Sequence, residues 1–338
     1  MLEKTILLPS AWKGGDLYEE DWIIDLPDPL VEELTNAAKL LHGRGLSFKQ
    51  ANAGDYRLES WQSVLNEIRE RIEGGLGFTL LRGLPAENGL DLARLYLWGL
   101  GCHLGFPEPQ DAVGNLMHDV KDTGNDLSDS DIRLYQTNLA LSYHNDGADA
   151  FMLMCCHAAQ RGGETKLVSA LSVFNTILEC RPDLACVLQQ PFYFDARGQQ
   201  RPNSPLFQRV PVFVYHEGYL NVLYKREYIE SAQRFPEVPE LTPQQIEAMD
   251  MMDRLCDELA LGFVMKPGDL IIANNYELLH ARSAFQNGGM IKEGRHMLRL
   301  WISLPNARPL PAVFGDTREF CHSYARRCEP VVSLPLRV

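Results

Sequence analysis

Apolar positions along this chain recur with two periods, and the switch between them separates helices from strands. Behind Asp28-Pro29, Leu30, Leu34, Ala38 and Leu41 recur at three- and four-residue intervals, which predicts a helix with proline in its first turn, ending near Gly43. SWQSVLNEIRERIEG (60–74) and LDLARLYLWGLGCHLG (90–105) carry the same stripe, and between them GFTLLRGLP (77–85) predicts a short buried strand closed by a turn. These stripes are read as core and carry no chemistry. Residues 106–130 are rich in Gly, Pro, Asp, Asn and Ser, predicting a loop with at most one short strand, from which Gln110, Asn115 and His118 are candidates to reach a ligand.

Beyond this loop the pattern changes to strands. LYQTNLALSYHNDGAD (134–149), AFMLMCCHAA (150–159) and RGGETKLVSA (161–170) read as strand-like runs joined by turns. VFNTILECRPDLACVL (173–188) predicts a helix pair broken at Pro182, and PVFVYHEGYLNVLY (211–224) a hairpin turning at His216-Glu217-Gly218. TPQQIEAMDMMDRLCDELA (242–260) opens with a Thr cap and Pro at the first helical position. FVMKPGDLIIANNYELLH (263–280) and RHMLRLWISLP (295–305) supply the last strands. The expected fold class is α+β, a double-stranded β-helix (jelly-roll) core with flanking helices. Residues 1–75 are expected to form a helical extension packed on a core of residues 76–338, as one catalytic domain.

The chemistry begins with His144 and Asp146. Residues i and i+2 of a strand share a face, so an imidazole and a carboxylate can close on one ion while Asn145 points away. His280, at the end of the run after Pro267-Gly268-Asp269, is the best remote third ligand. Two nitrogens and one hard oxygen, with open positions opposite, suit a non-haem Fe(II) site. Even spacing puts Arg295, Arg299 and Trp301 on one strand face, where inward guanidinium groups require either an internal acid or a bound carboxylate. Gln136 and Asn138 share parity with His144 and are candidates to face substrate, if that strand is continuous.

Taken together, His144-Asn145-Asp146, Gly162-Gly163-Glu164-Thr165, His280-Ala281-Arg282 and Arg295-x-x-x-Arg299 resemble the taurine dioxygenase/TfdA-like Fe(II)- and 2-oxoglutarate-dependent oxygenases, over roughly residues 75–310. The resemblance implies an iron triad of His144, Asp146 and His280. It implies that Thr165 and Arg295 bind the distal carboxylate of 2-oxoglutarate, and that Arg299, with Trp301 beside it, faces substrate. The implied reaction is oxidative decarboxylation of 2-oxoglutarate to succinate and CO₂, coupled to hydroxylation, desaturation or cyclisation of a small substrate bearing a carboxylate or other anionic group. The interval from His280 to Arg295 is lengthened by QNGGMIKEG, which leaves the choice between Arg295 and Arg299 for the cosubstrate open. From the residues alone, a zinc-type hydrolase and a non-catalytic jelly-roll binding or sensor protein also remain open.

Composition narrows the surroundings. A chain of 338 residues with 45% apolar content can bury a large core. Its formal net charge of −13, without a long basic cluster, argues against nucleic acid as a partner. No run of eighteen apolar residues occurs and the first residues do not read as a signal peptide, so a cytoplasmic protein without membrane attachment is expected. The eight cysteines, irregularly spaced, suit reduced buried thiols, and the Cys321-His322…Cys328 grouping lacks zinc-knuckle spacing. Expected partners are the small substrate and O₂, with self-association left open.

Overall fold

The computed structural model describes residues 1–124, 136–200, 204–288 and 294–328. Two sheets face one another. The larger has the strand order Ile23–Asp25, Phe78–Arg82, Leu270–Asn274, Ala150–His157, His296–Ser303, Phe106–Glu108, and Met117–Lys121 also pairs with His296–Ser303. The smaller runs Leu261–Phe263, Thr165–Ser169, Leu278–Arg282, Leu141–His144. All pairings are antiparallel except Ile23–Asp25 with Phe78–Arg82.

Strand alternation sorts the side chains into three apolar layers. On the larger sheet, Met152, Met154, Ile272, Leu298 and Leu300 point outward and are covered by the helices Asp28–Gly43, Gln62–Glu73 and Leu90–Leu104. Their neighbours Phe151, Cys155, Ile271, Met297 and Trp301 point inward and meet Leu167 and Leu278 of the smaller sheet. The outer face of the smaller sheet, with Tyr143, Val168, Leu279 and Ala281, lies under Ala170–Cys180, Pro182–Leu188 and Pro243–Leu259. The long helix Pro243–Leu259 begins as its sequence requires. Thr242 accepts from the Gln245 amide while Gln245 reaches back to the Thr242 amide, and Pro243 opens the helix. The architecture is therefore helix, sheet, sheet, helix, a jelly-roll core with helical covers.

Three expectations change. The segment 1–75 is not purely helical, because Ile23–Asp25 extends the larger sheet. Residues 106–130 contain two strands where at most one was expected, both pairing with His296–Ser303, and residues 125–130 of that segment lie outside the described residues. The backbone leading to His144 is not one continuous strand, because the Leu141–His144 strand begins only after bends at 137–139. All eight cysteines are free. Among the described residues, no helix is long and apolar enough to cross a membrane.

Candidate active site

The space between the sheets narrows to a cavity of about 330 Å³, and the inward-facing polar residues of both sheets line it. His280 pairs directly across from His144 in the smaller sheet, with ring centroids 4.2 Å apart, and Phe151 of the facing sheet packs 4.4 Å from the His280 ring. The Nδ1–H of His144 donates to the Ser142 carbonyl at 2.8 Å, a contact that leaves Nε2 with a free lone pair.

Asp146 arrives differently from the expected strand pleat, since the strand ends at His144. Its backbone is held by a bracket of two buried asparagines. Asn145 donates to the carbonyls of Val222 and Asn275 and accepts from the Tyr224 amide. Asn275 accepts from the Asp146 amide at 3.2 Å and donates to the Gly147 carbonyl at 2.6 Å. Gly147 has to be glycine, because a Cβ there would fall 2.5 Å from the Trp301 ring.

His144, Asp146 and His280 each offer a ligand atom, and these atoms all lie within 4.8 Å of one another. Burial drives both imidazoles toward the neutral form. Burial would raise the Asp146 carboxyl, but the Arg299 guanidinium and the two imidazoles outweigh it and hold the carboxyl well below the usual carboxylate range. Two neutral imidazoles and an ionised carboxylate facing one cavity are the donors a divalent ion takes, and the set fits Fe(II).

Arg299 is committed to the protein. Its Nη1 donates to both Asp146 oxygens, at 2.9 and 3.1 Å, and its Nε donates to Gln110 Oε1 at 2.8 Å. Gln110 also donates to the Arg299 carbonyl, so this residue of the supposed loop orients the arginine from behind. Asn115 and His118 bond instead to Asp111. Trp301 lines the cavity 5.1 Å beneath Arg299, and its buried Nε1–H has no partner among the described residues. Gln136 and Asn138 are outside the cavity lining. Their backbone carbonyls accept from Thr123 and Phe285, and the bends at 137–139 remove the parity that was to turn them inward.

Farther from the triad, Thr165 and Arg295 lie together on the wall, both buried. Gly163, at φ +73°, makes room for Arg295, whose side chain would be 3.2 Å from a Cβ at that position. Arg295 Nη1 is buried without a partner among the described residues, and burial pushes its pKa down to about 10. Residues 289–293 of the insertion before it lie outside the described residues.

The remaining wall was missed by sequence reasoning. Arg197, Lys225, Tyr228, Arg318 and Glu227 come from segments between regular elements or from short helices, where periodicity is silent. Lys225 donates to Glu319 at 2.8 Å, and Gln208 donates to the same carboxylate. Burial would raise Glu319, but the charges of Lys225 and Arg318 prevail and bring it from the ordinary 4.5 to about 2. A carboxyl depressed in the fold contributes stability above pH 4.5 that is lost as pH falls from 4.5 toward 2. Glu319→Gln is thus expected to cost on the order of 3 kcal/mol at neutral pH. Its stability should then decline less steeply than the wild type's between about pH 5 and 3. Urea unfolding across that range checks this, and parallel pH curves would contradict it.

The comparisons with known proteins agree with this geometry. Residues 33–301 match the family described as taurine catabolism dioxygenase TauD, TfdA family, a span that begins well before the expected residue 75. The chain is 30% identical to FR-33289 synthase of Streptomyces rubellomurinus, over 94% of this chain and 96% of the relative. It is 28% identical to a taurine hydroxylase-like protein of Stachybotrys chartarum, over 86% and 77% respectively. Among solved structures it resembles an asparagine oxygenase in complex with Fe(II), 3-hydroxyasparagine and succinate (TM-score 0.66, 17% identity, 83% of this chain and 93% of the other). It also resembles the non-haem iron oxygenase OrfP in complex with Fe and 2-oxoglutarate (TM-score 0.61, 16% identity, 83% and 94%).

Proposed function

The chain belongs to the TauD/TfdA family and is an Fe(II)- and 2-oxoglutarate-dependent dioxygenase, and from that premise we propose which of its residues hold each component and what kind of substrate it takes. His144, Asp146 and His280 hold the iron. Arg295 and Thr165 hold the distal carboxylate of 2-oxoglutarate, the guanidinium supplying charge and the hydroxyl a further donor. When bound, iron and 2-oxoglutarate supply the oxidative decarboxylation that yields succinate and CO₂ and the oxidation of a substrate C–H bond. The protein contributes position. Phe151 and Trp301 give the reacting centre a dry wall, and Gln110 and Arg299 fix the direction in which Asp146 presents its oxygens. The chain acts as a single catalytic domain in which residues 1–75 pack on the core.

The substrate is small and anionic. The observation that carries this is the charge of the wall: Arg197, Lys225, Arg282, Arg295, Arg299 and Arg318 line the cavity against only Asp146 and Glu227, in a chain whose net charge is −13. Such a wall selects oxyanions. Because Arg299 is held by Asp146 and Gln110, and Lys225 by Glu319, the substrate's anionic group falls to Arg318 and Arg197, with its apolar part against Trp301.

The cosubstrate can be tested before any substrate is identified. Anaerobic protein given Fe(II) and then 2-oxoglutarate is expected to develop the charge-transfer absorption of the chelated cosubstrate, and Arg295→Ala to require far more 2-oxoglutarate for it. A screen by succinate release should then find stimulation by small carboxylic acids and not by their amides. Equal stimulation by the amides would refute the anionic substrate.

A further inference from the structure

We propose that Arg282 is a second guanidinium of the cosubstrate cradle, holding the distal carboxylate of 2-oxoglutarate together with Arg295 and Thr165. The inference rests on the reading of Arg295 and Thr165 above. Arg282 ends the same strand that carries His280, two residues on, so both point between the sheets. It pairs in register with Thr165 on the neighbouring strand, which puts the two side chains on one face of the smaller sheet. Both line the cavity, as does Arg295.

The bonding of Arg282 is incomplete. Only 5% of its surface is exposed, and its Nη2 donates to the carbonyls of Thr137 and Leu139. Its Nε and Nη1 are buried with no partner among the described residues, as is Arg295 Nη1. The two guanidinium groups share Phe285, whose ring centroid is 4.8 Å from Arg282 Cζ and 5.4 Å from Arg295 Cζ. An aromatic face offsets only part of the cost of burying a cation. Two cations in one corner repel, and the nearby Asp122 carboxylate offsets this only in part. Both groups are guanidinium cations, each with a buried nitrogen left to donate. A carboxylate entering the corner meets donors from Arg282, Arg295 and Thr165, and supplies partners for the nitrogens that the protein leaves unbonded. The Thr137 and Leu139 contacts fix the orientation of the guanidinium without neutralising it.

This arrangement makes the distal carboxylate of the cosubstrate the feature most strongly selected. The experiment compares 2-oxoglutarate with 2-oxobutyrate, which has the same oxo and C1 carboxylate groups and no distal carboxylate. Each is titrated into the anaerobic Fe(II)-loaded protein and followed by the charge-transfer absorption. Arg282→Gln is expected to weaken 2-oxoglutarate roughly 10- to 100-fold while leaving 2-oxobutyrate and Fe(II) affinities unchanged. Parallel weakening of both oxo acids would overturn the proposal and make Arg282 an anchor for residues 137–139. Unchanged 2-oxoglutarate affinity would overturn it as well. Should Arg282→Gln fail to fold, Arg282→Lys carries the same comparison, because a single ammonium nitrogen lacks the spread of the guanidinium fork that reaches the carbonyls with one nitrogen and the carboxylate with others. It should weaken 2-oxoglutarate selectively, and retention of wild-type selectivity would overturn the proposal. Arg295→Gln separates the two levels. If it too leaves the discrimination between the oxo acids intact, the Arg295–Thr165 reading fails; if it abolishes discrimination while Arg282→Gln does not, only the role of Arg282 falls.

Discussion

Asp146→Ala is expected to abolish the Fe(II)–2-oxoglutarate absorption, to reduce turnover by about a thousandfold or more, on the order of 4 kcal/mol of barrier, and to destabilise the metal-free fold. The first two effects should be shared by His144→Ala and His280→Ala, since each removes one of three donors. The third should not. Asp146 is the carboxylate partner of Arg299, both side chains are at least nine-tenths buried, and Nη1 bonds both oxygens. Removing one member of a buried pair costs about 3–5 kcal/mol, because the remaining charge keeps its desolvation penalty. The imidazoles are neutral, and their loss leaves no such charge. Thermal melts of metal-free variants should therefore put Asp146→Ala well below both histidine variants. Equal melting temperatures would mean that the Arg299–Asp146 pair contributes nothing to the fold, and that Asp146 serves the metal alone.

How much of this site could be read from the chain depends on whether periodicity reached the residue concerned. His280, Arg299 and Trp301 lie on regular strands, where a two-residue repeat reports the face, Arg295 immediately precedes one of them, and all four line the cavity. The same two-residue step from His280 leads to Arg282, which sequence reasoning left without a role. Asp146 does reach the cavity, but not by the cause the spacing suggested. The strand stops at His144, and two asparagines, the adjacent Asn145 and the distant Asn275, replace the pleat. Gln136 and Asn138 are not among the residues lining the cavity, as the backbone bends between them and the strand. Met117–Lys121 was hidden because its sequence, MHDVK, alternates weakly and sits among turn formers, yet it takes its place by pairing with His296–Ser303. Arg318 and Lys225 belong to segments without a repeat, so only the closed fold brings them to the cavity. The helices and the jelly-roll class were legible because amphipathic stripes must be buried whatever the order of the strands.

The residue on which both the sheets and the triad segment depend is Asp149, and its replacement by Ala is expected to be the largest purely structural effect. Asp149 is fully buried, three residues after Asp146. Its carboxylate accepts from the Tyr276 hydroxyl at 2.5 Å and the Leu304 amide at 2.6 Å, and forms an ion pair with Arg327 at 2.8 Å. Through these contacts it joins the loop after Asp146 to the segment after Asn275, to the end of the His296–Ser303 strand and to the helix Cys321–Cys328. Its backbone adds two more ties, to Ile302 and Asn275. Asp149→Ala should lower the unfolding free energy by about 3–5 kcal/mol, since it strands a mostly buried guanidinium as well as a phenol and an amide. A double-mutant cycle with Arg327→Met isolates the ionic part. Removing both charges should cost clearly less than the sum of the single changes, because the second substitution deletes the charge that the first left unpaired. Iron affinity should fall in Asp149→Ala as well, and less than in any triad variant, because Asn275 still holds the Asp146 amide when Asp149 is gone. Additive energies in the cycle would assign the loss to Tyr276 and Leu304, and unaltered iron affinity would show that the asparagine bracket alone sets the position of Asp146.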